Sequence, residues 1–152
     1  MVQMRSSLGG IPVSTAMLTD FQSVRPDDNL QKVIELILAG SQKDFPVVDD
    51  GRVVGILTQS DLLIALAQGG QQTRVKDIMN RDFEMVRSSE MLETAFLRLK
   101  SCDCHTIPVS DASDQLVGLV TMDNVGEFIR IQAAISGARG RGKNIVFATQ
   151  AR

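Results

Sequence analysis

The sequence predicts an α/β (α+β) fold built of two tandem β-α-β-β-α repeats packed with pseudo-twofold symmetry. Three observations carry that reading. Core-type positions Val13, Met17, Phe21, Leu30, Val33, Ile34, Ile37, Pro46 and Val47 return 62 positions later as Val75, Met79, Phe83, Leu92, Ala95, Phe96, Leu99, Pro108 and Val109. After one inserted residue the offset becomes 63, and Gly55 and Thr58 return as Gly118 and Thr121. Each copy, finally, is too short to bury a good core alone, so the two must face each other, and the crease between them is a natural place for a small ligand. The chain divides into a tether (1–10), a first repeat (11–68), a linker (69–74), a second repeat (75–134) and a basic flexible tail (135–152).

Each repeat opens with a short extended lead-in. Pro26-Asp27-Asp28-Asn29 then supplies turn and N-cap chemistry ahead of Leu30, Val33, Ile34, Ile37 and Leu38, which share one helix face that Gly40 can end. Phe45 to Val48 forms a strand, Asp49-Asp50-Gly51 a tight turn, and Arg52 to Leu57 the hairpin partner. Thr58 opens a second helix through about Gln68, and Gly69 to Thr73 is a polar break. In the second copy Ser88 or Ser89 caps a helix with Leu92, Ala95, Phe96 and Leu99 inward. Strands follow at Thr106 to Val109 and Gln115 to Val120, and a last helix starts near Met122 and frays near Ala134.

Composition narrows the function. No apolar run approaches the roughly 20 residues that span a bilayer, and Met1-Val2-Gln3-Met4-Arg5 lacks a signal peptide's apolar stretch, so a soluble cytoplasmic chain is expected, without membrane insertion. Cys102 and Cys104 are too close for an ordinary bridge, and folding without disulfides in a reducing compartment is expected. Arg139, Arg141, Lys143 and Arg152 are the only charges after residue 135; the body before them sets 12 bases against 18 acids. Such a body argues against nucleic-acid binding, as does the absence of Trp and Tyr.

Chemistry concentrates at Gly55-Ile56-Leu57-Thr58-Gln59-Ser60-Asp61, where a strand ends and a helix begins. Free N–H groups and the positive end of the helix dipole there favour a phosphate, Thr58 and Ser60 add hydroxyls, and ionised Asp61 suits a ribose diol. Thr58-x-x-Asp61 also reads as an acidic capping box. The two roles are compatible.

The doubled pattern, the strand Asp44-Phe45-Pro46-Val47-Val48-Asp49 and the Gly55-x-x-Thr58-x-x-Asp61 motif together resemble a pair of cystathionine-beta-synthase (CBS) domains, the Bateman module, over about Ile11 to Ile131. The resemblance implies binding of AMP, ADP, ATP or S-adenosylmethionine between the repeats. By it, Asp61 holds the ribose, Thr58 and Ser60 the phosphate side, the backbone around Phe45, Pro46 and Val47 flanks the adenine, and Val13, Ser14 and Ala16 close the pocket. A weaker second site falls on Thr121, Asn124, Ile107 and Pro108: Asn124 stands where the aspartate belongs, and Asp123 puts an anion where Ser60 sits. One competent site per chain is expected. The segments Ser41 to Val48, Asp61 to Leu66 and Asn124 to Phe128 are also similar to the CBS pair that follows the membrane core of some site-2-protease-type zinc metalloproteases. This chain has no His-Glu-x-x-His.

Cys102-Asp103-Cys104-His105 offers too few ligands for zinc, and His105 is the single histidine. Met17 and Met79 read as core filling. No nucleophile, base or metal set pairs with the lone acids Glu35 and Glu93, so no catalytic residues are assigned and no cofactor is required. The expectation is a non-enzymatic regulatory module that senses an adenine nucleotide and reports to an effector. Apolar second-helix faces at Leu62, Leu63, Leu66, Val125, Phe128 and Ile129 point to a homodimer. A ligand-free structural dimerisation module, which the second resemblance would make a C-terminal regulatory part of a membrane metalloprotease, is the alternative.

Overall fold

The computed structural model describes residues 9–102 and 105–141. The tether therefore lies outside the described residues except at its end, as does the tail beyond Arg141. In the first half the order is α1 (Val13–Ala16), α2 (Leu30–Ala39), β1 (Phe45–Asp49), β2 (Arg52–Leu57) and α3 (Gln59–Ala67). The second half repeats it as α4 (Val75–Ile78), β3 (Val86–Arg87), α5 (Leu92–Cys102), β4 (Thr106–Ser110), β5 (Leu116–Thr121) and α6 (Met122–Arg141).

Local sequence explains most boundaries. Asn29 caps α2 by accepting from the Lys32 N–H at 3.2 Å, and Gly40 follows its last turn. Asp50 and Gly51, at φ of 57° and 80°, make a two-residue hairpin loop that pairs β1 with β2 antiparallel. The inserted residue lengthens the second hairpin, whose loop is held by the Asp111 carboxylate accepting from Ser113 and Gln115 N–H. Val24 beside Val47 repeats the parallel pairing of Val86 with Val109.

Four expectations are corrected. The lead-ins contain one helical turn each, α1 and α4, rather than extended chain alone. Neither Ser88 nor Ser89 adjoins α5, which starts at Leu92; Arg87 N–H is taken by Glu90 instead. The last helix runs seven residues beyond Ala134, so residues 135–141 of the supposed flexible tail are helical. Cys102 is disulfide-bonded, against the expectation of a chain without bridges.

The most consequential difference concerns where the lead-ins go. Each leaves its own repeat and docks on the other. Val13 N–H donates to Glu90 O and Ser14 N–H to Ser88 O, while Leu18 exchanges two backbone bonds with Leu119 in β5 at 2.8 and 2.9 Å. The second lead-in repeats these contacts: Val75 N–H donates to Asp28 O, Lys76 N–H to Pro26 O, and Asn80 exchanges two bonds with Ile56 in β2 at 2.8 and 3.0 Å. The core is accordingly divided in two, and each part borrows from the other half. Val13 is buried among Leu92, Leu99, Ile107, Val120 and Val125; Val75 and Met79 lie among Leu30, Val33, Phe45, Leu57 and Leu62.

Gly55 and Gly118 make this exchange sterically possible. A Cβ at Gly55 would stand 2.7 Å from the Met79 sulfur, and one at Gly118 2.6 Å from the Met17 sulfur and 2.9 Å from the Leu18 carbonyl. A Cβ at Gly126, within α6, would meet the Arg130 guanidinium at 3.6 Å and no closer side chain among the described residues. Gly118→Ala should therefore destabilise the protein by about 1–3 kcal/mol through overpacking. Gly126→Ala should stabilise it by about 0.5–1 kcal/mol through the helix preference for alanine. Urea unfolding of both variants checks the opposite signs.

Candidate functional site

β1 and β4 begin side by side, and Asp44 and Thr106, equivalent positions in the two repeats, touch there. The Asp44 carboxylate accepts from the Thr106 hydroxyl at 3.2 Å and from the Gln59 N–H at 3.3 Å. A bond between equivalent residues marks the pseudo-twofold axis. Around it opens a cavity of about 780 Å³, within the range of small-molecule sites. Its walls come from both repeats: Leu18, Asp20 and Phe21 of the first lead-in, the loop 41–44, Thr58, Gln59 and Ser60 at the start of α3, and Thr121, Asp123, Asn124 and Glu127 at the start of α6.

The two helix starts are built alike up to one residue. Thr58 caps α3 by accepting from the Asp61 N–H at 3.1 Å. Thr121 accepts from the Asn124 N–H at 3.0 Å, and the Asn124 side-chain oxygen returns the bond to the Thr121 N–H at 2.6 Å. This is a complete capping box, whereas the first copy has the threonine half of one. The Asn124 amide also donates to the Ala16 carbonyl at 2.5 Å. Among the described residues the Asp61 carboxylate has no hydrogen bond or ion pair. Asp61 is half-buried and is not on the cavity wall.

Of the residues expected to form one site, Thr58 and Ser60 stand at the cavity. Phe45 and Val47 are 1% and 0% exposed in the first core, where the Pro46 carbonyl accepts from Val24, and Ile107 and Pro108 are buried likewise in β4. Val13, Ser14 and Ala16 do not line the cavity: the lead-in exchange docks them on Glu90, Ser88 and Asn124 of the second repeat, while Leu18, Asp20 and Phe21 of the same lead-in reach the cavity wall beside Thr58. Thr121 and Asn124 thus share the cavity with first-lead-in residues. Repetition cannot reveal such an exchange, since Val13 and Val75 suit either core equally. Asp44, Asp20 and Glu127 were not singled out as site residues, although the 62-residue spacing of Asp44 and Thr106 carries a signal for the axis.

Electrostatics are lopsided. Asp20, Asp44, Asp123 and Glu127 line the cavity against Lys43 and the single histidine His105, and Asp44 already occupies one N–H at the start of α3. A ligand carrying many negative charges would meet repulsion in this setting.

Two repeats that exchange lead-ins and turn both closing helices toward one crease define a tandem paired-domain module with a shared cavity on its axis. The chain belongs to the CBS domain family, which matches residues 8–68 and 75–130. Among solved structures it is similar to CBSX2 in complex with AMP, at 27% identity over 84% of this chain and 99% of that one with a TM-score of 0.71. It also resembles the cytosolic domain of the Mg2+ channel MgtE in complex with ATP, at 26% identity over 83% of this chain and 52% of that one, TM-score 0.69. Among curated relatives, homoserine O-acetyltransferase of Methanosarcina acetivorans is 28% identical over 80% of this chain and 22% of that protein. Inosine-5'-monophosphate dehydrogenase of Methanocaldococcus jannaschii is 25% identical over 82% of this chain and 25% of that protein. The chain thus spans a quarter or less of the length of these relatives.

The bond on the axis is measurable by itself. A double-mutant cycle of Asp44→Ala and Thr106→Val in urea unfolding should give a coupling of about 0.5–1.5 kcal/mol, the worth of one hydrogen bond.

Proposed function

We propose that this chain is a regulatory CBS pair that binds an adenine nucleotide, or a related adenosine compound such as S-adenosylmethionine, and signals to an attached or associated effector without chemistry of its own. The observation that carries the reading is the axial cavity, into which both helix starts present capping threonines and Ser60 adds a hydroxyl. Similarity to structures holding AMP and ATP supports it. Asp61 is the residue we assign to the ribose, since its carboxylate is half-buried and without a protein partner among the described residues. Regulation follows only if the ligand prefers one arrangement of the halves, because equal affinity for two arrangements shifts neither.

The carboxylates around the cavity favour a ligand with few phosphates, or one whose phosphates arrive neutralised by a divalent cation. Titration calorimetry without Mg2+ should therefore find AMP bound more tightly than ATP, and Asp61→Ala should abolish binding of both. A thermal-shift panel that includes S-adenosylmethionine and leaves the melting temperature unmoved would favour the ligand-free dimerisation module instead.

The homodimer remains part of the proposal, with its surface redrawn. Leu62 and Val125 are spent in the two cores, whereas Leu63 and Ile64 on α3 are 57% and 59% exposed and Ile131 on α6 is 50% exposed. Light scattering at micromolar concentration should give twice the chain mass, and Leu63→Glu combined with Ile64→Glu should halve it.

A further inference from the structure

The geometry points to a second small-molecule site, at the hairpin-turn end of the strands and away from the axial cavity, that takes a singly charged carboxylate with a short apolar body. This site stands apart from the function proposed above and does not depend on it.

Ser110, at 5% exposure, is the one buried polar side chain among the described residues, and its hydroxyl has no hydrogen-bond partner there. Leaving a buried hydroxyl unbonded costs stability. The fold does not ask for that hydroxyl, because the equivalent place 62 residues earlier, in β1, is held by Val48. Side chains alternate along β4, and Ile107 and Val109 lie in the second core. Thr106 and Ser110 therefore both face the first repeat, from opposite ends of the strand and about 13 Å apart along it. Thr106 meets the axis; Ser110 meets a groove of about 420 Å³, at the small end for ligand sites.

The walls of this groove come from both repeats, and half-buried Val53, Phe83 and Met85 give it an apolar lining. Its charges sort by partner. Arg87 is paired with Asp114 at 2.9 Å and Glu90 with Arg98 at 3.3 Å, whereas the exposed Arg52 guanidinium has no hydrogen bond or ion pair among the described residues. One positive charge is thus uncommitted. A single negative charge on a ligand is met by it, while a dianion such as phosphate would also face Glu90 and Asp114. A carboxylate accepts both from a guanidinium and from a hydroxyl, so Arg52 and Ser110 suit its two oxygens while the apolar body lies on Val53, Phe83 and Met85. The other half of the molecule has no such set: Gln115, Val48 and Ser23 stand there in place of Arg52, Ser110 and Met85.

Benzoate titrated into the isotope-labelled full chain and followed by NMR is the test. Backbone resonances of Val53, Met85 and Ser110 should shift together while those of Thr58 and Thr121 stay in place, and inorganic phosphate or benzyl alcohol should leave the first three unmoved. Arg52→Gln should weaken benzoate binding roughly tenfold or more, and Ser110→Ala roughly fivefold. Without benzoate, Ser110→Ala should keep its urea midpoint at or above that of the unaltered protein, since it removes a hydroxyl that bonds nothing. A lowered midpoint would mean that the hydroxyl already has a partner within the protein, and the site would fall. Benzoate shifts confined to Thr58 and Thr121, undiminished affinity in Arg52→Gln, or an equal response to phosphate or benzyl alcohol would each overturn it as well.

Discussion

The structure depends on a close approach of backbone to backbone. At Gly55 and at Gly118 the lead-in of the opposite repeat crosses a strand at a distance that leaves no room for a side chain. Each crossing lets a segment pair with the edge of a β-hairpin that is not its own, through Ile56 with Asn80 and Leu119 with Leu18. From those pairings follow the division of the core into two mixed clusters, the placement of the β1 and β4 starts beside each other, and the cavity around Asp44 and Thr106. A unit of this size would otherwise leave an unpaired strand edge and an underfilled core.

How much of this was legible in the residues depends on what repetition encodes. Helix faces, hairpins and the start of α3 were readable because each is local: Asn29 before Leu30, Asp50-Gly51 between two valine-rich strands, Thr58 ahead of an apolar run. The exchange was hidden because it is a symmetric choice. Moving Val13 and Val75 into each other's places leaves every periodicity intact, and only three-dimensional contacts distinguish the outcomes. The glycines held a clue. Their recurrence inside strands marks close approach as much as loop flexibility, and here the approaching segment comes from the other repeat.

The candidate site shows the same division. Thr58, Ser60, Thr121 and Asn124 were legible as helix starts, and all four face the crease. The loop 41–44 and Asp20 were illegible as site residues because no local pattern requires them there; they reach the cavity through the fold alone. The Asp61/Asn124 difference was visible in the sequence as a departure from a motif. Its physical content was not, since the Asn124 amide is tied to a carbonyl 108 positions away, a contact no local pattern announces.

The reciprocal docking of the lead-ins also bears on how such a chain is assembled. Half of it, released by a cut in the linker, would keep its hairpin but lose the arm that fills its groove, and would carry an arm with no groove to fill. Two released halves would complete each other, much as protomers do when they swap an element, so the peptide joining them serves chiefly to raise the local concentration of complementary parts. Covalent continuity here stands in for what would otherwise be an intertwined pair of separate chains.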